Sequence, residues 1–238
     1  MYSLYRFPID RSLFDGACGL SCVENLLIFA LRASCMAYPY LFYRSHLTLP
    51  EIMREFFERN ASYARFGAVE RIQELAVRED LLSMELHVSL HDGLCGPEKA
   101  WVFVMLTPEA VREKYRTEML REDHYILLGS AEGERYTCFN DTPRDIGTMT
   151  GEELERCFGG RVICIRPTGR PFDGLRKEAV ARMTDALSKK DTACRMDYAD
   201  LLTLRDILGV LRILRRRTVE FSSMYTDARV FSPYLEEL

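Results

Sequence analysis

The sequence predicts an α+β fold, in which a leading helix precedes a mostly antiparallel sheet and a helical tail follows it. Three observations predict this fold. Apolar residues recur at helical spacing over residues 15–32, segments of strand length are grouped between residues 84 and 166, and only helical patterns remain after residue 174. Strands that are grouped, and do not alternate one by one with helices, favour α+β over a parallel α/β sheet.

The first helix is predicted over residues 15–32, with Leu20, Val23 and Leu27 on one face and Asp15 as its N-cap. This start places Cys18 in the first turn. Further helices are predicted at 50–59, 67–79, 108–120, 175–187 and 198–217, together with a short one that begins after a capping box formed by Thr150 and Glu153.

Alternating or continuous apolar runs predict strands at 84–90, 101–106, 124–129, 135–139 and 161–166. A turn at residues 132–134 joins the third and fourth strands into a hairpin. Because a hairpin brings the start of one strand beside the end of the next, His124 is expected near Asn140 and Asp141.

The composition is that of an ordinary soluble globular protein, with 238 residues, 47% hydrophobic and 29% charged side chains and a formal net charge of −4. A pI near 5.7 argues against nucleic-acid binding. No apolar run approaches the roughly 20 residues of a membrane span. We expect a cytoplasmic protein whose eight cysteines are reduced thiols, because the first residues have no signal-peptide pattern. A change of composition after residues 167–171 predicts a catalytic domain at 1–169 and a helical extension at 170–238 packed on it.

Cys18 is the candidate nucleophile. A thiol in the first turn of a helix lies near the positive end of the helix dipole, which favours the reactive thiolate. The backbone N–H groups of Cys18 and Gly19 would stabilise an oxyanion. His124 is the candidate base, and Asn140 or Asp141 would orient its ring. A buried cysteine without chemistry, and a surface histidine at a strand end, fit the same local sequences.

Several motifs in a fixed order resemble the peptidase domains of bacteriocin transporters, which remove double-glycine leaders. They are CGLSC at 18–22, HYILLG at 124–129, YTCFNDTP at 136–143, MTGEEL at 149–154 and VICIR at 162–166. The sequence is also similar to the butirosin-biosynthesis H family of papain-like acyltransferases, because Asn25-Leu26-Leu27 follows Cys18 one to two helical turns later. The resemblance covers about residues 12–32 and 122–167.

The resemblance implies a papain-like cysteine protease fold with Cys18 as nucleophile and His124 as general base and acid. Asp141 best matches the orienting residue, and Asn140 is the neighbour that could replace it. The peptidases carry a Gln six residues before the cysteine, where its side chain helps to form the oxyanion hole, whereas this chain has Ser12. Loss of such a donor favours a thioester substrate, which is more reactive than an amide.

These observations predict an enzyme: a cysteine acyltransferase or acyl hydrolase that acts on a thioester in bacterial natural-product biosynthesis. The expected partner is an acyl or peptidyl carrier protein, with a small-molecule amine as a possible acceptor. No cofactor or metal is expected. The alternatives are a cysteine peptidase of the double-glycine-leader type and a non-catalytic papain-like binding module.

Two further features are ambiguous. Tyr38, Tyr40 and Tyr43 are candidates for a substrate pocket, although aromatic clusters of this kind more often belong to a core. Cys22, one helical turn after Cys18, is interpreted as a packed thiol, with a resolving thiol or metal ligand as the alternative.

Two other patterns have a functional and a plain interpretation. His87, His91 and Cys95 have the spacing of metal ligands, but the favoured interpretation is a polar strand face that His87 and His91 share with Ser89. Arg212 and the arginines at 215–217 would suit an acidic carrier or a phosphate, but a solvated helix face is favoured.

Overall fold

The computed structural model describes the following residues: 4–14, 21–34, 36, 49–57, 81–95, 99–116, 123–169, 181 and 201–223. They form a mixed structure of helices and one six-stranded antiparallel sheet, as the α+β prediction requires. The predicted helices at 67–79 and 175–187 lie outside the described residues. Within the described part, no helix is long and apolar enough to cross a membrane.

The sheet has the spatial order β1-β6-β2-β3-β4-β5. Its strands are β1 Leu82–His87, β2 Trp101–Leu106, β3 His124–Glu132, β4 Arg135–Asp141, β5 Arg144–Thr150 and β6 Phe158–Pro167. Strands β2 to β5 are neighbours both in sequence and in space, whereas β6 returns to lie between β1 and β2.

The described helices are numbered in chain order. They are α1 Cys22–Ala33, α2 Leu49–Phe57, α3 Leu90–Leu94, α4 Pro108–Tyr115, α5 Gly151–Cys157 and α6 Leu201–Ser223, preceded by a 3-10 turn at Arg11–Leu13. The predicted capping box is present at α5, where the side chains of Thr150 and Glu153 each accept a hydrogen bond from the backbone N–H of the other.

The two faces of the sheet are covered by different helices. The apolar side chains of α1 pack with Tyr125, Leu127 and Phe139 on one face. Ile126 and Leu128 point to the opposite face, which the apolar residues of α3, α4 and α5 cover. Neighbouring residues of a strand therefore belong to different layers, as the two-residue period of a strand dictates.

Helix α1 begins later than the sequence pattern predicts. Its N-cap is Ser21, in the extended conformation, whose side chain accepts a hydrogen bond from the Glu24 N–H at 3.2 Å. The N-cap of α1 is therefore Ser21 and not the predicted Asp15, and Cys22 occupies the first turn, whereas Asp15 and Cys18 lie outside the described residues. Ser21 and Glu24 have the Ser-x-x-Glu spacing of a capping box, which is the sequence signal for this start.

Two elements were absent from the sequence prediction. The residues of β5 show no clean apolar alternation, and the strand lies at the edge of the sheet, where it pairs with β4. The short helix α3 begins where the first strand was expected to continue. Ser89 caps it by accepting a hydrogen bond from the Asp92 N–H at 3.3 Å.

Helices α2 and α6 form a separate apolar cluster. The α2 side chains are Ile52, Met53 and Phe56, and the α6 side chains are Ile207, Val210, Ile213 and Leu214. Helix α6, in the predicted extension, thus packs on an element of the first predicted domain. The division at residue 169 stays a prediction.

Candidate functional site

The candidate site lies at the end of the sheet where β3 begins and β4 ends, beside the first turns of α1. His124 opens β3, and Asn140 and Asp141 close β4. His124 is 3% exposed, Asn140 0% and Asp141 8%, so three polar side chains are buried within one small region. Buried polar groups in natural proteins have hydrogen-bond partners, so their contacts define what the site can do.

Asn140 fixes the imidazole of His124. The side-chain amide of Asn140 donates to the carbonyl oxygen of Pro143 at 2.7 Å, which turns its Oδ1 toward the ring. His124 Nε2 lies 2.6 Å from that Oδ1. Because an amide oxygen only accepts, Nε2 carries the proton and donates it.

The second ring nitrogen of His124 is left as the acceptor. Nδ1 is buried and has no hydrogen-bond partner among the described residues. A neutral imidazole that donates from Nε2 has a free lone pair on Nδ1. Nδ1 is therefore the atom at which this histidine can take up a proton.

Asp141 belongs to a different network. Its Oδ2 accepts hydrogen bonds from Asn25 Nδ2 of α1 at 2.9 Å and from Thr142 Oγ1 at 3.2 Å. The sequence favoured Asp141 as the residue that orients His124, but the structure brings Asn140 to the ring. The reason is strand geometry, since consecutive residues of β4 point to opposite faces of the sheet.

A bulge in β3 decides which of the two residues shares a face with His124. Near the turn, Ala131 lies opposite Tyr136, but further along Leu128 lies opposite Cys138, so the register shifts by one residue between them. Without this shift, the pairing at the turn would place Asp141 on the face of His124. A one-residue shift exchanges the two faces of a strand.

Cys22 joins the start of α1 to the start of β3. Its Sγ accepts a hydrogen bond from the Tyr125 N–H at 3.4 Å and lies 3.5 Å from the carbonyl oxygen of Asp123. The sulfur is therefore next to the backbone on both sides of His124. Cys22 is partly buried, in agreement with the interpretation of a packed thiol.

A small cavity of about 120 Å³ opens beside His124. Its other lining residues are Met105, Leu106, Thr107, Pro108, Val111, Asp123 and Gly159. The ring of Tyr115 lies 6.2 Å from the imidazole, centroid to centroid. Burial raises the pKa of Tyr115 well above its usual range, so this phenol is a neutral neighbour at physiological pH.

An ion pair lies just outside the imidazole. Arg161 Nη1 is 3.3 Å from Asp123 Oδ2 and 3.4 Å from the hydroxyl of Tyr125. Burial raises the pKa of Tyr125 to about 12, although the contact with Arg161 acts in the opposite direction. The phenol is therefore neutral there as well.

Other predicted site residues lie outside the described residues. They are Cys18, Gly19, Tyr38, Tyr40 and Tyr43. Ser12, at the position of the peptidase Gln, is exposed in the 3-10 turn, and its N–H donates to Asp10 Oδ1 at 2.8 Å.

The possible metal ligands do not converge. His87 lies 3.5 Å from Glu85, whereas His91 contacts Cys95 with 3.3 Å between Nε2 and Sγ. Within the described ranges, no group of three or more ligand side chains could hold a metal ion. The side chains of Arg212 and residues 215–216 are exposed on α6, as expected for a solvated face.

Neither a family model nor a curated protein matches the chain. Among solved structures, it is similar to a double-glycine motif protease from an AMS/PCAT transporter, crystallised in complex with the leader peptide. The TM-score is 0.36 and the identity 13%, over 68% of this chain and 90% of that one.

A second similar structure is the peptidase domain of Streptococcus ComA, a bifunctional ABC transporter involved in a quorum-sensing pathway. Here too the TM-score is 0.36 and the identity 13%, over 70% of this chain and 99% of that one. Both are double-glycine peptidase domains. No comparison points to the butirosin-biosynthesis H family.

Proposed function

We propose that the protein is a papain-like cysteine hydrolase that forms an acyl–enzyme intermediate on Cys18. One observation carries the proposal: the buried hydrogen bond between His124 Nε2 and Asn140 Oδ1, which leaves Nδ1 as an acceptor. A cysteine, a histidine and an asparagine in these roles are the catalytic set of papain-like proteases. Cys18 takes its role from the motif at 18–22.

The described residues on both sides of the Cys18 segment pack against α1 or cap it. Phe14 is buried, with its ring centroid 4.6 Å from that of Phe29 in α1. Ser21 caps α1, and Cys22 contacts the backbone around His124. Only three residues separate Cys18 from Cys22 in the chain.

The chemistry follows from the free lone pair on Nδ1. The Cys18 thiol passes its proton to Nδ1, and the thiolate attacks the carbonyl carbon of the substrate. When the tetrahedral intermediate collapses, the imidazolium returns that proton to the leaving amine. Water then attacks the carbonyl carbon of acyl–Cys18 and gives a proton to Nδ1. The carbon–sulfur bond breaks, which releases the acid, and Nδ1 returns the proton to the Cys18 sulfur. Asn140 holds the ring in one orientation through both steps.

A peptide amide is the first substrate class, because the three proposed residues are those of a peptidase. A thioester is the second, favoured by the exposed Ser12 at the position where the peptidases carry an oxyanion-stabilising Gln. Thioesters need less stabilisation of the oxyanion. The carrier-protein partner and the biosynthetic pathway have no support from the described contacts.

The first experiment needs no substrate. The native protein is treated with limiting iodoacetamide at several pH values, and the labelled cysteines are mapped by mass spectrometry. We expect Cys18 to be labelled fastest near pH 6, where ordinary thiols are almost fully protonated. The His124→Ala variant should lose this advantage. Equal labelling of Cys18 and the other accessible thiols would overturn the proposed dyad.

The second experiment separates the substrate classes. Peptides with a double-glycine site and acyl thioesters are supplied in parallel to the wild type and to the Cys18→Ala and Cys22→Ala variants. Turnover that Cys18→Ala abolishes and Cys22→Ala retains supports the proposal. Turnover that depends on Cys22 would instead assign the nucleophile to the first turn of α1.

A further inference from the structure

We propose that Asn25 and Asp141 form a positioning pair that holds α1 in register with the strand end that carries Asn140. The pair connects the helix that follows the Cys18 segment with the residue that orients His124. This inference rests on the proposed function for its catalytic meaning. The geometry behind it involves neither Cys18 nor a substrate.

The first step is the contact itself. Asn25 Nδ2 donates to Asp141 Oδ2 at 2.9 Å, across a sequence separation of 116 residues. Asn25 lies one helical turn after Ser21, the N-cap of α1, and Asp141 directly follows Asn140. A shift of the helix along the sheet would therefore pull on the residue next to the orienting amide.

The second step is that this bond is directional, as are the contacts of Cys22 with the β3 backbone, whereas most of the interface is apolar. Helix α1 contacts the sheet mainly through apolar side chains such as Leu27 and Phe29. Burial of apolar area stabilises the contact but does not select a single register. A hydrogen bond to a carboxylate is shorter and more restrictive than a neutral one, so it can fix the position of the helix end.

The third step is the cost of losing the bond. Asp141 is buried, and its Oδ1 has no hydrogen-bond donor among the described residues. Removal of the Asn25 amide would leave Thr142 as the donor seen to Asp141 in the described part. A buried carboxylate that loses a donor moves toward water or toward another donor, and Asn140 would move with it.

The experiment uses four variants of the full chain: Asn25→Ala, Asn25→Asp, Asp141→Asn, and the exchange Asn25→Asp with Asp141→Asn. The exchange restores a carboxylate and an amide with their roles reversed. Arg11→Ala is the matched control. It removes an exposed ion pair with Asp145, 3.2 Å long, at the same end of the sheet.

Two readouts are measured for each variant. The first is the rate of Cys18 alkylation near pH 6 relative to that of an exposed thiol. The second is the pair of ring-nitrogen chemical shifts of His124, which reports whether Nε2 still donates to Asn140. We expect each single variant to lower the relative rate by about 10- to 100-fold and to change the shifts, since small misplacements have effects of that size.

The exchange should recover most of the rate and the wild-type shifts, and Arg11→Ala should change neither. If the single variants lower only the melting temperature and leave both readouts unchanged, the pair is merely structural and the inference fails. Failure of the exchange to recover the shifts has the same meaning. If wild-type Cys18 shows no fast alkylation, the proposed function fails, and the shifts alone decide the positioning role.

Discussion

At the scale of single residues, the site is decided by which side chain meets the imidazole. Asn140 and Asp141 are neighbours in the sequence, and both are chemically able to orient a histidine. The bulge in β3 puts Asn140 on the same face of the sheet as His124, and it puts Asp141 on the opposite face, where it contacts Asn25. Because Asn140 is a neutral amide, the proposed thiolate–imidazolium pair would have no third charge in contact with the ring.

Replacement of Asn140 tests this arrangement. Asn140→Ala should lower the alkylation rate of Cys18 and any turnover by roughly 100-fold, because the ring loses its fixed orientation. Asn140→Asp keeps an acceptor oxygen for Nε2 but loses the donor to Pro143, so we expect a smaller loss. The measurement is the second-order rate constant with iodoacetamide. Identical rates for Asn140→Ala and the wild type would contradict the role of Asn140.

Two buried thiols should not react with iodoacetamide in the native protein. Burial raises the pKa of Cys138 to about 12 and that of Cys164 to about 11. At pH 8 both thiols are protonated, and they are buried in the apolar layer between the sheet and helices α3, α4 and α5. We therefore expect no labelling of either cysteine until the chain unfolds, which mass spectrometry with and without urea will show.

The same shifts predict a loss of stability at alkaline pH. The folded protein holds these thiol protons more tightly than the unfolded chain does. The two thiols therefore contribute fully to the free energy of unfolding below the ordinary thiol pKa of 9.0. It is lost as the pH rises toward 11 and 12, the folded-state values of Cys164 and Cys138. Urea unfolding at pH 8 and at about pH 10 should show this fall, and Cys138→Ala should reduce it.

At the scale of elements, local signals predict the starts of helices better than the edges of the sheet. The capping box at Thr150 was visible in the sequence and is present in the structure. The equivalent Ser-x-x-Glu pattern at Ser21 marks the observed start of α1, six residues after the predicted N-cap Asp15. Strand β5 was not predicted, because apolar and polar residues do not alternate regularly along it.

The cap of α5 gives a prediction at this scale. Thr150→Ala should lower the free energy of unfolding by about 1 kcal/mol, whereas Thr150→Ser should keep most of it, since serine caps as well. Urea unfolding at pH 7 measures both. An unchanged unfolding midpoint in Thr150→Ala would show that packing of Leu154 alone holds the helix.

The stability that this cap provides also decreases at acidic pH. The Thr150 N–H holds the pKa of the Glu153 carboxyl below its ordinary value of 4.5. Its stabilising effect is therefore complete above pH 4.5 and disappears as the pH falls through the lowered value. Comparison of Glu153→Gln with the wild type across that range checks the direction, because the amide does not titrate.

At the scale of the whole molecule, the sequence indicates the general class but not the contacts between distant segments. Grouped strands and flanking helices were enough for the α+β prediction. The position of β6 between β1 and β2, and the register shift that selects Asn140, depend on pairings between residues far apart in the chain. The contact between α2 and α6 could not be predicted for the same reason. The sequence of each helix shows that it has an apolar face but not which element covers that face.

The contact between α2 and α6 makes the domain division testable. A chain that ends at residue 169 would leave Ile52, Met53 and Phe56 without their partners on α6. We expect this truncated chain to bind a hydrophobic dye and to self-associate, as exposed apolar patches do. Ile52→Ser with Phe56→Ser should restore its solubility. A monomeric truncated chain that binds no dye would instead support an independent domain at 1–169.

The strand order also governs how the sheet is completed while the chain is being synthesised. Strands β2 to β5, which carry His124 and Asn140, pair with neighbours that leave the ribosome one after another. β1 is made before all of them, yet its strand partner in the described sheet is β6, which starts at Phe158. A translational pause before residue 158 would therefore leave β1 as an open strand exposed to chaperones and to other nascent chains.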